Sequence, residues 1–304
     1  MTFSVLICTY NRHVLLRQAL EALIEDTIEK PDQIIVVNGG DDRTDQVVRD
    51  YSGRHGIDLQ LIKTVNKNLA ASRNVGLPHC TGAIVAMTDD DAEVFPDWVT
   101  QHKRQHADHP EAGVMGGQVI GVSSGSQLLS QLADLVTFPL PSAAGYIRHN
   151  LPGVNVSYKR AVLDQVGLQD ETLFRGEDVD FNWRIKQLGV QIYFHPDIKV
   201  IHHHRPTLKQ FWRQHYMYGR AYFLVRRKWR DMYSVYPRQL RTPRDVLKGG
   251  YFVAAIVLQS AQTVMKLPSW RDRLLGFPIL TVNHALWKYG MIRQWWQERR
   301  QKSA

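Results

Sequence analysis

The sequence predicts an α/β fold with a mostly parallel sheet covered by helices, followed by a basic, Trp-rich helical region. Three observations support this prediction. Short, mostly apolar runs alternate with segments of helical spacing, as in parallel sheets that are buried on both faces. Polar residues follow several of these runs, at the positions where open α/β sheets bind ligands. Basic residues and tryptophans are concentrated in the last third of the chain.

The first part of the chain alternates strands with helices. Residues 3–8 are predicted to form a strand, and the apolar residues from 14 to 24 recur with helical spacing. This alternation is typical of a parallel sheet with helical crossovers. The other elements predicted here are strands at 34–37, 59–62 and 83–87, a helix after Thr44 and a helical turn at 72–77.

The composition is that of a folded protein. A chain of 304 residues with 44% apolar content can bury a sizeable core, as one large domain with an appendage. Cys8 and Cys80 are the only cysteines, which excludes a disulfide framework and favours a reducing compartment. The amino-terminal segment has neither the basic leader nor the apolar run of a signal peptide. We therefore expect a cytoplasmic protein.

Three consecutive aspartates, Asp89, Asp90 and Asp91, follow the strand predicted at 83–87. Carboxylates this close repel one another unless a cation neutralises them, and their oxygens suit Mg²⁺ or Mn²⁺. Because alternate side chains of an extended segment share a face, Asp89 and Asp91 can converge while Asp90 points elsewhere. The alternative interpretation is an acidic turn or the N-cap of a helix.

Two carboxylates, Glu177 and Asp178, follow Gly176 at the start of a predicted helix that ends at Gly189. The helix dipole favours carboxylates in a first turn, which is sufficient to explain them. The functional interpretation is a general base at the edge of a cleft, able to accept a proton from an attacking hydroxyl.

Three histidines, His202, His203 and His204, close a segment that contains a strand predicted at 191–194. They could form a solvated turn. A neutral imidazole could also complete an oxygen-rich metal site formed by distant residues. His202 and His204 share a face in an extended segment, whereas His203 lies on the opposite face.

An ordered series of motifs marks the ends of the predicted strands. They are Ile7-Cys-Thr-Tyr-Asn-Arg12, Val36-Val-Asn-Gly-Gly-Asp-Asp-Arg-Thr44, Ala71-Ser-Arg-Asn-Val-Gly76, Ala86-Met-Thr-Asp-Asp-Asp91, Gly153-Val-Asn-Val-Ser157, Gly176-Glu-Asp-Val-Asp-Phe181 and Val200-Ile-His-His-His204. In this order they resemble glycosyltransferase family 2, whose members are inverting, nucleotide-sugar-dependent enzymes with the GT-A fold. The resemblance covers residue 3 to about residue 222. It implies a Rossmann-like twisted sheet in a catalytic domain at 1–204, with the nucleotide-sugar half at about 1–95 and the acceptor half at about 96–204.

The resemblance implies roles for individual residues. Asp178 corresponds to the catalytic base, with Glu177 beside it. Asn38 stands near the position where the family usually has an aspartate that contacts the base, and this departure leaves the identity of the nucleotide open. The implied metal ligands for Mn²⁺ or Mg²⁺ are Asp89, Asp91 and His202, with His204 as second choice. The residues implied to bind the nucleotide sugar are Thr9, Tyr10, Arg12, Asn38, Arg73, Asn74, Asp89, Asp90, Gly153 and Asn155.

The tail at 205–304 differs sharply from the rest of the chain. It holds 20 Lys and Arg against four acidic residues, whereas residues 1–204 hold 18 against 25. Uncharged stretches at 249–265 and 274–286 are too short or too polar for clean spans, and basic flanks suit helices lying in a membrane interface. We expect a peripheral protein on the inner face of the membrane, bound to anionic lipid, with a lipid-linked or membrane-presented glycan acceptor. The alternative is a helical subdomain packed on the catalytic domain.

Gln214 stands where processive synthases have the tryptophan of a Gln-x-x-Arg-Trp motif, so we expect a non-processive transferase. Two other functions use the same features. The basic, aromatic tail could bind nucleic acid, although the acidic front would repel phosphates and no nucleic-acid-binding module is recognisable. The aspartates could serve metal-dependent phosphoryl transfer, although a Gly-rich phosphate loop with lysine is missing. We therefore expect no nucleic-acid partner.

Overall fold

The computed structural model describes residues 1–123, 125–148, 150–229, 232 and 243–303. The other residues of the predicted tail, 230, 231, 233–242 and 304, lie outside this description. The chain forms two compact units. The sheet unit comprises Met1–Gly121 and Leu140–His203, and the helical unit comprises Val122–Pro139 and His204–Ala304. The expected division of the catalytic domain into halves at 1–95 and 96–204 stays a prediction.

The sheet unit is organised around a mixed β-sheet. Its strands are β1 (Phe3–Thr9), β2 (Gln33–Asn38), β3 (Asp58–Lys63), β4 (Ile84–Asp89), β5 (Ala92–Val94), β6 (Ala112–Val122), β7 (Gly145–Ile147), β8 (Val156–Lys159) and β9 (Gln191–His203). Among the described residues the order is β3-β2-β1-β4-β8-β6-β9-β5, with β7 paired to β9. The first four strands of this order are parallel. Antiparallel pairing begins where β8 joins β4.

The helices of the two units have the following bounds. In the sheet unit they are α1 (His13–Glu21), α2 (Thr44–Tyr51), α3 (Leu69–Gly76), α4 (Trp98–Asp108), α6 (Arg160–Val166) and α7 (Glu177–Gln187). In the helical unit they are α5 (Gln127–Thr137), α8 (Leu208–Lys228), α9 (Pro243–Val264) and α10 (Trp270–Ser303). Together with the sheet, these helices confirm the predicted α/β fold with a helical carboxyl-terminal region.

β4 and β9 are longer than the sequence predicted, and four strands, β5, β6, β7 and β8, were missed. β4 extends through Asp89, and β5 follows at Ala92. The alternative in which the aspartates cap a helix is therefore wrong. β9 continues from Gln191 through His203 as a single strand, because β5 and β7 both pair with it. A three-residue strand such as β5 carries too little pattern to be recognised from sequence.

The parallel register determines where the site forms. β1 and β2 are buried almost throughout, as expected for apolar strands covered on both faces. Cys8 lies opposite Asp89, and Thr9 lies opposite Asn38. The polar ends of β1, β2 and β4 therefore meet at one edge of the sheet, where α/β proteins bind ligands.

The helical unit has its own apolar core, formed by Leu132, Val264, Leu267 and Leu280. α8 and α10 approach closely, since a Cβ on Gly219 would lie 1.8 Å from the carbonyl oxygen of Trp287. None of the described helices combines the length and apolar content needed to cross a membrane.

A pair of buried histidines lies inside the sheet unit. His102 Nδ1 and His106 Nε2 are 2.8 and 2.9 Å from the hydroxyl of Ser157. His102 also packs edge-on against Trp98, with ring centroids 4.6 Å apart. Burial lowers the pKa of His102 well below its usual value and lowers that of His106 to about 3. Both rings are therefore neutral in the folded protein at physiological pH.

Acidification should destabilise the protein through this pair. Histidine in the unfolded chain binds a proton near pH 6.5, whereas the two buried rings stay neutral. The free energy of unfolding is therefore at its full value above about pH 6.5 and decreases as the pH falls toward the folded pKa. In this window each histidine should lower the free energy of unfolding by about 1.4 kcal/mol per pH unit. Urea unfolding from neutral pH downward measures this slope. His106→Gln should remove the contribution of His106 to this slope, whereas His79→Gln, at an exposed ring, should leave the slope unchanged. Equal slopes in His106→Gln and the wild type would contradict the prediction.

Candidate active site

Two carboxylates and one imidazole converge at the edge of the sheet. Asp89 ends β4, and Asp91 lies in the turn before β5. The antiparallel pairing of β5 with β9 places Ala92 opposite His202 and leaves Asp91 Oδ1 3.4 Å from His202 Nε2. One ligand atom from each of Asp89, Asp91 and His202 lies within 4.8 Å of the others. Two carboxylate oxygens and one imidazole nitrogen are a donor set that suits Mn²⁺ or Mg²⁺.

Asp90 lies outside this group of three ligands and connects the loop after β1 to the aspartates. Its carboxylate accepts hydrogen bonds from the Thr9 hydroxyl at 2.7 Å and from Arg12 Nη1 at 2.9 Å. The same Arg12 nitrogen donates to Asp91 Oδ2 at 2.8 Å. Burial raises the pKa of Asp90 to about 6, although the charge of Arg12 opposes the shift. Arg12 therefore holds two neighbouring carboxylates against the loop that contains Tyr10, whose ring is exposed.

Arg73 connects the metal group to the start of α7. Its side chain is only 4% exposed and its guanidinium lies 3.1 Å from Glu177 Oε1 and 3.3 Å from Asp89 Oδ1. Burial alone would lower the pKa of Arg73, but the carboxylates of Glu177 and Asp89 raise it above its usual value. Arg73 lies on α3. The Asn68 side chain caps the start of this helix by accepting a hydrogen bond from Ala71 N at 2.9 Å, which stabilises the helix that positions the arginine.

The two carboxylates that begin α7 lie in different environments. Glu177 is buried, and burial together with the neighbouring Asp178 raises the pKa of Glu177 to about 7 despite the contact with Arg73. Asp178 is half-buried, and its two oxygens accept from Gly153 N at 3.3 Å and Val179 N at 2.8 Å. Asp178 thus presents an oriented carboxylate that solvent can reach, whereas Glu177 faces the guanidinium.

Gly153 leaves room for this arrangement. A Cβ at this position would lie 2.5 Å from Arg73 Nη2. Although an arginine end is usually free to move, this one is held by two carboxylates, so a side chain at 153 would displace an ion-paired, buried group. The glycine is required for the close approach of its backbone to Arg73.

The site holds more buried negative charge than its arginines neutralise. Burial raises the pKa of Asp89, even though Arg73 lies beside it, and neighbouring Asp91 adds to the shift. Carboxylates in this situation are stabilised by an added cation. The excess charge and the donor set both fit a divalent metal held by Asp89, Asp91 and His202.

Three of the amides expected to bind the donor are engaged inside the protein. Asn38 donates to Asp45 Oδ1 at 2.7 Å and accepts from Gly40 N at 2.7 Å. Asn155 is fully buried, accepts from the Trp98 indole at 2.8 Å and donates to the carbonyl oxygens of Gln118 and Ile198. Asn74 binds the backbone of Gln169 in both directions. Their expected roles as donor contacts stay predictions, and the hydrogen bonds described here stabilise the surrounding loops.

Some partners in these networks were not recognised from the sequence. Glu171 accepts from Asn74 Nδ2 at 3.0 Å and from Lys67 at 2.7 Å. Asp45 lies in the first turn of α2, where a carboxylate has a sufficient local explanation. The second-choice ligand His204 pairs with Asp134 instead, with Nε2 2.7 Å from Oδ1. The pairings of Glu171 with Asn74 and of His204 with Asp134 join distant segments, so no local pattern could have indicated them.

Comparison with known proteins identifies relatives of the sheet unit. A family model described as "Glycosyl transferase family 2" matches residues 4–167. The chain is 28% identical over 211 residues to the glucosyl-dolichyl phosphate glucuronosyltransferase of Haloferax volcanii, covering 66% of each protein. It is 27% identical over 177 residues to the pre-mycofactocin glycosyltransferase of Mycobacterium tuberculosis, covering 56% of this chain and 37% of that protein. The chain thus spans less than two thirds of the length of these relatives.

Solved structures share the fold at low sequence identity. The mannosyltransferase PcManGT of Pyrobaculum calidifontis, in complex with GDP-Man and Mn²⁺, matches with a TM-score of 0.64 at 18% identity, over 97% of this chain and 87% of that one. S. aureus TarS in complex with UDP-GlcNAc matches with a TM-score of 0.57 at 15% identity, over 99% and 92%. These likenesses confirm the expected GT-A fold.

Removing the guanidinium should expose how strongly the site depends on it. Arg73→Met leaves buried Glu177 and half-buried Asp89 without their partner, so the free energy of unfolding should fall by up to about 3–5 kcal/mol. Adding Glu177→Gln to Arg73→Met should recover part of the loss, because it removes one of these charges. Urea unfolding measures both. Arg17→Met, which removes a solvent-exposed pair with Asp50, should have little effect. A loss no larger than that of Arg17→Met would show that the Arg73 contacts contribute little.

Proposed function

Because the chain belongs to glycosyltransferase family 2, we propose that it is an inverting transferase that moves one sugar from a nucleoside diphosphate sugar to an acceptor hydroxyl. One observation carries the proposal. Arg73 contacts Asp89 of the metal group on one side and Glu177, the neighbour of Asp178, on the other. A diphosphate leaving group held near Asp89 and an acceptor activated near Asp178 would therefore occupy one site.

Asp178 is proposed as the general base. It is half-buried at the start of α7, and two backbone N–H groups orient its carboxylate. The acceptor oxygen attacks the anomeric carbon while its proton passes to Asp178. The bond between that carbon and the diphosphate oxygen breaks, and the nucleoside diphosphate leaves with the bonding electrons. A single displacement of this kind inverts the anomeric centre.

Glu177 is proposed as a positioning residue. Its carboxylate is buried against Arg73, which keeps it away from an incoming hydroxyl. Glu177 would hold the guanidinium of Arg73 in place between Asp89 of the metal group and the proposed base, Asp178. Asp178 is the better candidate for proton transfer because solvent, and hence an acceptor, can reach it.

Asp89, Asp91 and His202 are proposed to hold Mn²⁺ or Mg²⁺. A divalent cation there would act as a Lewis acid that stabilises the negative charge of the departing diphosphate. The chain's own residues prepare this position, since Arg12 orients the Asp91 carboxylate through Oδ2 while the other oxygen, Oδ1, faces His202.

The loop after β1 is proposed to receive the nucleotide. Tyr10 is half-exposed there, where a ring could stack on a base, and Thr9 and Arg12 hold the loop against Asp90. Arg73, Asn74 and Gly153 complete the proposed donor surface. Two structures of this fold contain GDP-Man and UDP-GlcNAc. The fold therefore accepts different bases and different sugars.

The acceptor is proposed to be lipid-linked. A relative that is 28% identical is a glucosyl-dolichyl phosphate glucuronosyltransferase, and the excess of 20 Lys and Arg over four acidic residues in the tail would attract anionic lipid. We accordingly propose a peripheral protein on the inner face of the membrane that transfers single sugars. No observation in the described residues favours the phosphoryl-transfer or the nucleic-acid-binding alternative.

Asp178→Asn should abolish transfer but not donor binding. An amide cannot accept the proton, so turnover should fall by about 10²–10⁴-fold, while the donor surface is unchanged. Release of nucleoside diphosphate in the presence of a membrane lipid extract measures turnover, and thermal stabilisation by the donor measures binding. Asp164→Asn, the same change at an exposed position of α6, serves as the control. Turnover equal to that of the control would remove Asp178 from the mechanism.

Donor binding should require the metal group. With nucleoside diphosphate and Mn²⁺, each at about 100 times its Kd, linkage predicts about 2.7 kcal/mol of stabilisation per ligand. Asp91→Asn and chelation by EDTA should both remove the thermal shift caused by Mn²⁺. His204→Gln should keep it, because His204 pairs with Asp134. A full shift in Asp91→Asn would exclude this aspartate as a ligand.

A further inference from the structure

We infer that residues 265–275 insert into the interface of an anionic lipid membrane. This segment, here named the hairpin tip, comprises the connection between α9 and α10 and the first six residues of α10. The inference rests on the proposed function for the place of the acceptor, and it specifies which part of the helical unit reaches the lipid. Four large apolar side chains of the tip are 59–68% exposed, and they are Met265, Trp270, Leu274 and Leu275.

The spacing of these side chains places them in two groups that share a helix face. Trp270 and Leu274 are four residues apart and so lie on one face of α10. Leu258, which is 54% exposed, is two helical turns before Met265 and lies on the same side of the helix. Large exposed apolar patches on a folded protein mark interaction surfaces, whereas isolated exposed residues do not.

The tip is held in shape by contacts beneath it. Val264 and Leu267 are buried in the core of the helical unit together with Leu280. Arg273 Nε donates to the Leu267 carbonyl at 2.8 Å, and Ser269 Oγ accepts from Arg271 N at 3.2 Å. Because these contacts already order the turn, little conformational entropy is lost when the exposed side chains bind.

Basic residues surround the apolar tip. Lys266 and Arg271 are exposed and Arg273 is partly exposed, while Asp272 is the one acidic residue of the tip. The Arg271 guanidinium lies 5.7 Å from the centroid of the Trp270 ring. Tryptophan, leucine and cations side by side are the composition of segments that enter the headgroup region of anionic bilayers.

Charge favours lipid over a second copy of the chain. A second copy packed tip to tip would bring another tail with 20 Lys and Arg against four acidic residues, and these like charges would repel. An anionic membrane offers the opposite charge over a wide area.

The structure also shows which part of the uncharged stretch at 274–286 is exposed and could contact lipid. Within the uncharged stretch at 274–286, Leu280 and Asn283 are 0% and 1% exposed. Those side chains belong to the interior of the helical unit. Lipid contact is therefore expected from the tip and the first turns of α10, whereas the buried middle of the stretch is excluded.

Co-sedimentation of the full chain with vesicles tests the inference. The wild type should bind vesicles of phosphatidylcholine and phosphatidylserine. Trp270→Ser with Leu274→Ser should weaken this binding by at least about tenfold, since two inserted side chains are lost. Ile292→Ser with Trp296→Ser changes the same residue spacing on the same helix, at side chains 44% and 52% exposed, and should bind like the wild type.

The contribution of charge is tested separately. Lys266→Gln and Arg271→Gln should each reduce the preference for anionic over neutral vesicles by about fivefold, since a basic residue near such a surface contributes about 1 kcal/mol. Binding to pure phosphatidylcholine vesicles should change little.

Three results would overturn the inference. They are wild-type binding by the Trp270 and Leu274 double variant, an equal loss in the Ile292 and Trp296 double variant, and self-association of the free protein that the tip variants abolish in sedimentation velocity. Thermal stabilisation by Mn²⁺ and nucleoside diphosphate is measured on the same preparations. A protein that binds these ligands but no vesicles would lose the membrane inference and the proposed membrane location, and would keep the proposed sugar transfer.

Discussion

The buried guanidinium of Arg73 is the interaction on which the site depends. It lies between a carboxylate at the end of β4 and a carboxylate in the first turn of α7, and each Nη contacts one of them. Gly153 leaves the space that the guanidinium occupies. Elements far apart in the chain are thus joined by one cation, which stabilises the charge of buried Glu177 and of half-buried Asp89.

Around this arginine the protein keeps an excess of negative charge. Burial raises the pKa values of Asp89, Asp90 and Glu177, and Arg12 compensates only the side of the site that faces the loop after β1. A divalent cation at this position would stabilise these carboxylates, and under the proposed function it would also reduce their repulsion of the diphosphate.

Much of the fold could be predicted from local patterns. β1 and β2 are buried on both faces and consist mostly of apolar residues, and α7 begins at Glu177 after Gly176, as the sequence indicated. The same local patterns did not predict the strands whose bounds depend on pairing with other strands. β5 has three residues, and β9 continues through His203 because neighbouring strands pair along it.

The sequence by itself determined which residue types the protein can use: a run of three aspartates, paired carboxylates at a helix start, consecutive histidines, and a basic tail rich in tryptophan. Only the tertiary structure decided their partners. It brought His202, rather than His204, to Asp91, because β5 pairs with β9 in one register. It engaged Asn38 and Asn155 in internal networks and exposed Trp270 while burying Leu280. Local patterns reflect backbone preference and burial, whereas these choices depend on contacts between residues tens of positions apart.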